Sequence, residues 1–231
     1  MLPGDTRVLT DPEAVAAEAC RLIGAAAEEA IRQRQVFRLV LAGGQTPRRT
    51  YELLAATAQT WTAWEIFWGD ERCLPVDHPD RNSRAAHDVW LKHVAIAKDN
   101  IHPIAAELGA EQAAAAYATR IQGKQPFDLV ILGMGEDGHT ASLFPGTGSE
   151  LASVIAVHDA PKLPAERVSF SVTTLRNCRY QLALICGGEK AGALAAWRLG
   201  ADLPIAQAVR SDACLLVDTT LGPIVERAAL R

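Results

Sequence analysis

An aspartate and a histidine two residues apart, Asp137 and His139, stand in the run Gly133-Met134-Gly135-Glu136-Asp137-Gly138-His139. Histidine titrates near neutral pH, so it can take a proton from water and later return it. The glycines allow a sharp turn and a close approach of backbone to ligand. The preceding apolar run, Phe127 to Leu132, reads as a central strand. That puts the pair at the strand's carboxyl end, where open α/β sheets bind their ligands. A hydrogen-bonded loop histidine without chemistry is the plain alternative, and Glu136 is expected to face solvent. The other histidines form no ligand pattern such as HExxH, so no metal is expected.

Three further segments could serve a reaction. Ala42-Gly43-Gly44-Gln45-Thr46-Pro47 lies between a predicted strand and a predicted helix. Its backbone N–H groups and the helix N-terminus could seat a phosphate, although the segment is neither a Walker loop nor GxGxxG. Asp70-Glu71-Arg72 follows the apolar strand Trp64–Trp68 and precedes His78 and Asn82. It is either a solvated loop with a local ion pair or a place where Asp70 and Arg72 hold sugar hydroxyls or a reacting carbonyl. Arg167 opens a strand, and Lys190 opens a helix after Gly187-Gly188. A lysine in a first helical turn is mildly unfavourable, and a ligand anion would explain it. Arginine and lysine together can hold a phosphate dianion, although each read singly is a surface cation.

These segments need a scaffold. Val15, Ala19, Leu22, Ile23, Ala26 and Ala30 recur at helical spacing, which predicts a helix over 12–35 with Asp11 as N-cap and Pro12 at its first position. Further helices are expected over 47–58, 82–93, 110–121 and 189–199, and strands over 37–42, 64–68, 127–132, 168–172, 181–185 and 214–217. The stretch 146–166 reads as the least regular. Strands alternate with helices, which predicts an α/β fold: a mostly parallel sheet with helices on both faces. No repeat or linker interrupts the chain, so one domain spanning 1–231 is expected.

The chain has 231 residues, 49% apolar and 22% charged, with a formal charge of −4. That balance argues against nucleic acid and membrane surfaces as partners. No run approaches a membrane span, and the polar N-terminus is unlike a signal peptide, so a cytoplasmic protein is expected. The five cysteines are odd in number and scattered, which reads as reduced thiols. Cys73, beside three charges, has no neighbouring base and is read as structural.

Together the segments resemble those of 6-phosphogluconolactonases: AGGQTP at 42–47, WGDERCLPVDHPDRNS at 68–83, GMGEDGHTASLFPG at 133–146, RVSFSVTTL at 167–175 and GGEKAGAL at 187–194. The resemblance spans nearly the whole chain. It implies the Rossmann-like fold of the glucosamine-6-phosphate deaminases and ribose-5-phosphate isomerase-like enzymes. It also implies hydrolysis of 6-phosphoglucono-δ-lactone, a small sugar-phosphate lactone, without metal or cofactor; a monomer is expected. By the same resemblance His139 is the general base with Asp137 its neighbour, and Asp70 and Arg72 line the sugar end. Gly44, Gln45 and Thr46, with Arg167 and Lys190, hold the phosphate, and Gly43 belongs to the same substrate-binding set. Gln45 and Ser169 depart from the residues commoner in the family. The deaminase branch is similar but continues its loop with Asn-Glu-Pro, where the Glu relays a proton; the matching residue here is Phe144. A non-catalytic sugar-phosphate sensor is the alternative of another class, and a sensor would have no need of a base.

Overall fold

The structure, a computed structural model, describes residues 1–146 and 152–226. In chain order its first elements are β1 (Asp5–Leu9), α1 (Pro12–Arg34), β2 (Phe37–Leu41), α2 (Gln45–Ala55), β3 (Trp64–Trp68), β4 (Asp70–Arg72), α3 (Asn82–Val89), β5 (Ile101–His102) and α4 (Ala110–Arg120). Then follow β6 (Phe127–Gly133), β7 (Val154–Val157), β8 (Arg167–Phe170), α5 (Val172–Arg176), β9 (Cys178–Ile185), α6 (Ala191–Arg198), α7 (Pro204–Ala208), β10 (Cys214–Asp218) and α8 (Gly222–Glu226).

Seven strands form one parallel sheet in the order β1-β10-β9-β6-β2-β3-β5. Its centre is read easily because β6, covered on both faces, is buried from Phe127 to Leu132 and carries a continuous apolar run. The one charge there, Asp128, is answered by Arg34 at 2.8 Å and by the Arg38 amide at 2.8 Å. Helix α1 packs across β2, β6, β9 and β10. Its start is as the residues predict: Asp11 accepts from the Ala14 amide at 2.8 Å and Pro12 takes the first position. From β2 the chain steps outward through β3 to β5, then returns to the other side of β2 to lay down β6, β9 and β10. The loops after β2 and β6 therefore diverge, and a crevice opens at the carboxyl ends of those strands.

The remaining strands depart from the expectation. β4, β8 and β7 form a separate antiparallel sheet. Asp70–Arg72, read as a loop, is the strand β4, and the strand expected over 168–172 runs instead as β8 in this second sheet, turning into α5 at Val172. β7 falls inside the stretch read as irregular; residues 147–151 of that stretch lie outside the described residues. Gly69 joins the two sheets, its amide donating to Leu41 of β2 at 2.9 Å and its carbonyl accepting from Phe170 of β8 at 2.7 Å. Among the described residues no helix is long and apolar enough to cross a membrane.

Candidate active site

The crevice is a cavity of about 700 Å³ lined by Gly43, Gly44, Gln45, Thr46, Asp70, Arg72, His139, Arg167 and Lys190. Each residue expected to bind or react thus lies on it except Asp137, which stands behind His139.

After β6 the chain turns back on itself: the Gly135 amide donates to the His139 carbonyl at 2.9 Å, and the Gly138 amide to the Gly135 carbonyl at 3.0 Å. Gly138 sits at φ +85°, a conformation that glycine takes without a Cβ clash. Gly135 is needed for space, since a Cβ there would lie 2.0 Å from atoms of the His139 ring. Asp137 Oδ1 lies 2.5 Å from His139 Nδ1 and also accepts from the His139 amide at 3.1 Å. A carboxylate facing Nδ1 fixes the proton of the neutral ring on that nitrogen. Nε2 then carries the lone pair, and it has no partner among the described residues. Burial alone would raise the Asp137 carboxyl, but the amide and ring of His139 outweigh it and hold the group below the usual carboxylate value. The stability tied to this shift is present above the unfolded value and lost as pH falls through the lowered one.

On the same side of the cavity Gly44 (φ +108°) leads into α2, whose first amides have no partner within the helix. The Tyr51 hydroxyl clasps the end of β2, donating to the Ala42 carbonyl at 2.9 Å and accepting from its amide at 3.0 Å. Gln45 is exposed at the rim. Lys190 follows Gly187-Gly188 at the start of α6 and has no ion pair among the described residues. Cys186, not foreseen as a site residue, lines the cavity below it. Burial pushes its thiol up, and pushes that of Cys73 up to about 11, so neither is a ready thiolate.

The opposite side comes from the small sheet. Its register sets Arg72 directly across from Arg167. Arg167 is 5% exposed and donates only to carbonyls, Nε to Pro164 at 3.0 Å and Nη2 to Lys162 at 2.7 Å. Arg72 donates to the Asp80 carbonyl at 2.5 Å. Among the described residues neither guanidinium has a carboxylate partner. Burial first, and the neighbouring Arg72 second, push the Arg167 guanidinium down from its ordinary value. Glu71, read as part of a charged loop, is fully buried. It accepts from the amides of Arg72 (2.9 Å), Asn82 (2.8 Å) and Ser83 (2.8 Å) and pairs with Arg81, so it ties β4 to the start of α3.

Asp70 is less available than the resemblance implies. Its carboxylate accepts from Ser142 Oγ at 2.7 Å and from Asn82 Nδ2 at 3.1 Å, so it anchors the histidine loop and α3 to the cavity wall. Neither Ser142 nor Asn82 was singled out for a role from sequence. Glu136 faces solvent, paired with Lys162 at 2.9 Å.

Residues 10–217 match the family model described as glucosamine-6-phosphate isomerases/6-phosphogluconolactonase. The chain belongs to that family. Among its members, a 6-phosphogluconolactonase of Synechocystis is 41% identical over 175 residues, 72% of this chain and 73% of that one. A 6-phosphogluconolactonase of Mycobacterium tuberculosis is 37% identical over 225 residues, 88% of this chain and 91% of that one. The crystal structure of 6-phosphogluconolactonase from Thermotoga maritima superposes with a TM-score of 0.85 at 29% identity, covering 92% of this chain and 98% of that one.

The Phe144 ring lies 4.9 Å from that of His139, with the Arg167 guanidinium 5.6 Å from its centroid. An apolar ring in that place offers no route for a second proton.

Proposed function

We propose that this chain hydrolyses 6-phospho-D-glucono-1,5-lactone to 6-phospho-D-gluconate, the hydrolytic step of the oxidative pentose phosphate pathway, with His139 as general base. The observation that carries this reading is the His139–Asp137 pair at 2.5 Å, which leaves Nε2 as the acceptor on a cavity rich in cations. Nε2 takes a proton from water as the water oxygen bonds to C1. The tetrahedral oxyanion collapses, the C1–ring oxygen bond breaks, and the imidazolium gives its proton to that oxygen. The new carboxyl group then ionises, so the net products are 6-phosphogluconate and one proton.

Asp137 supports the imidazolium by accepting from Nδ1, a role that needs its carboxylate ionised. Gly44, Gln45, Thr46, Lys190 and Arg167 hold the phosphate, with Gly43 beside them facing the substrate: amides at a helix start, a buried arginine and a half-buried lysine all favour a dianion. Arg72, beside Arg167, lines the sugar end and faces charge that develops on the carbonyl oxygen. General acid–base assistance of this kind contributes roughly 10²–10⁴-fold, enough for a lactone that already opens slowly in water. The proposal takes the enzyme as a cytoplasmic monomer that needs no cofactor.

The test is a lactonase assay corrected for spontaneous hydrolysis, run with purified protein before and after exhaustive chelation. Acceleration that survives chelation is expected, since among the described residues no three His, Cys, Asp or Glu side chains gather as a ligand set. No acceleration, or activity that returns only with one added divalent metal, would overturn the scheme.

A further inference from the structure

Asn82 has one end of its amide committed and the other free. Nδ2 donates to the Asp70 carbonyl at 3.0 Å and to the Asp70 carboxylate at 3.1 Å, while its backbone amide donates to buried Glu71 at 2.8 Å. Two acceptors at one end of the amide identify that end as nitrogen, because the reverse assignment would set oxygen against oxygen. Oδ1 therefore points the other way, against Gly43, where a Cβ would lie only 2.2 Å from it. The residue is 7% exposed, and both Asn82 and Gly43 line the cavity. No described residue donates to Oδ1. The oxygen is not sealed among the buried unmatched atoms but opens on the cavity, so a ligand that displaces water from it must donate in exchange or leave the acceptor unmatched.

We infer that Asn82 is a specificity-determining residue of the lactone site, its Oδ1 accepting a hydrogen bond from a ring hydroxyl of the sugar while Nδ2 holds Asp70. An amide oxygen repels phosphate and carbonyl oxygens alike, so this wall takes the hydroxylated face of the ring. The phosphate is thereby directed toward the cations elsewhere on the cavity. Gly43 has no side chain for the same reason: any Cβ would displace the oxygen that reads the sugar.

This inference rests on the lactonase reading, and one experiment separates the two. Wild type and Asn82→Ala are assayed on the parent lactone and on its 2-deoxy, 3-deoxy and 4-deoxy counterparts, comparing kcat/KM. Wild type should disfavour one deoxy lactone by roughly tenfold, the effect of covering an acceptor without supplying a donor. Asn82→Ala should treat that lactone and the parent alike to within about twofold. Should Asn82→Ala fold poorly, Asn82→Ser keeps a hydroxyl that can donate toward Asp70 but sets no oxygen at the Oδ1 position, and it should lose the preference in the same way. The inference is overturned if wild type disfavours none of the three, or if Asn82→Ala or a well-folded Asn82→Ser keeps the full preference. A wild type that fails to accelerate even the parent lactone sinks the lactonase reading instead.

Discussion

The two walls of the cavity are built from different kinds of sheet. On one side the parallel strands β2, β6 and β9 end in glycine turns that present backbone amides, the His139–Asp137 pair and Lys190. On the other, β4 and β8 of the small antiparallel sheet present Arg72 and Arg167 side by side. The first wall owes its geometry to local hydrogen bonds, such as those that close the turn from Gly135 to His139. The second owes its geometry to partners farther along the chain: β4 pairs with β8, and Glu71 within β4 accepts from the amides of Asn82 and Ser83. On the proposed reading the two walls divide the labour: the glycine turns supply the proton chemistry and part of the phosphate seat, and the small sheet supplies charge.

The sharpest way to break that division is His139→Ala. It should leave the melting temperature and phosphate binding nearly unchanged while kcat falls by at least ~10²-fold, the lower range for a lost general base. Retention of more than about a tenth of kcat in a corrected assay would move the proton chemistry elsewhere.

A smaller effect is expected from the cations, one from each wall. Arg167→Ala and Lys190→Ala should each lower kcat/KM on the phosphorylated lactone by roughly one to two orders of magnitude, since hydrogen bonds to charged groups contribute ~1.5–3 kcal/mol each. Part of the loss can fall in kcat, because remote binding energy also aligns the reacting carbon. On unphosphorylated glucono-δ-lactone both variants should behave nearly as wild type. If Arg167→Ala depresses the two substrates equally, the small sheet reads the reacting end and not the phosphate.

The smallest effect concerns how the second wall is held. Exposed His158 bridges the β7–β8 hairpin to α4, with Nε2 2.9 Å from Glu111 and Nδ1 3.0 Å from Glu166. The Glu111 bond first, and Glu166 next, raise its pKa above the ordinary histidine value. A raised pKa means that the stabilisation is complete below the unfolded value and lost as pH climbs through the raised one. The urea midpoint of wild type should therefore drop slightly more between pH 6 and pH 8 than that of His158→Gln. Identical pH dependence in the two proteins would show that the bridge does not fasten the hairpin.

The two walls also differ in how plainly they could be read beforehand. The parallel strands announce themselves because burial on both faces demands apolar runs, as in Phe127–Leu132, and the glycines after them mark the turns. α1 was legible to its cap. The small sheet was not. β4 is Asp-Glu-Arg, three charges whose strand conformation depends on pairing with β8 and on a buried Glu71 that no local pattern signals. β7 is four residues inside a segment rich in glycine, proline and small polar residues, and β5 is two. β1 is a half-exposed edge strand of mixed composition. Of the site, every residue named for binding reaches the cavity, yet the occupied carboxylate of Asp70 and the parts played by Ser142 and Asn82 needed coordinates. They follow from contacts across 72 and 12 positions of the chain.

Arg72 and Arg167, set opposite one another without a carboxylate between them, have a further consequence. Two like charges held together, one buried and one half-buried, oppose folding, and Asp70 offsets them only in part. A dianion lodged there would relieve them, so occupancy and folding are linked, and the ligand stabilises the native chain in proportion to how tightly it is held. The most heat-resistant version of this protein would replace one of the two arginines with a neutral residue, and it would be a poorer enzyme for it.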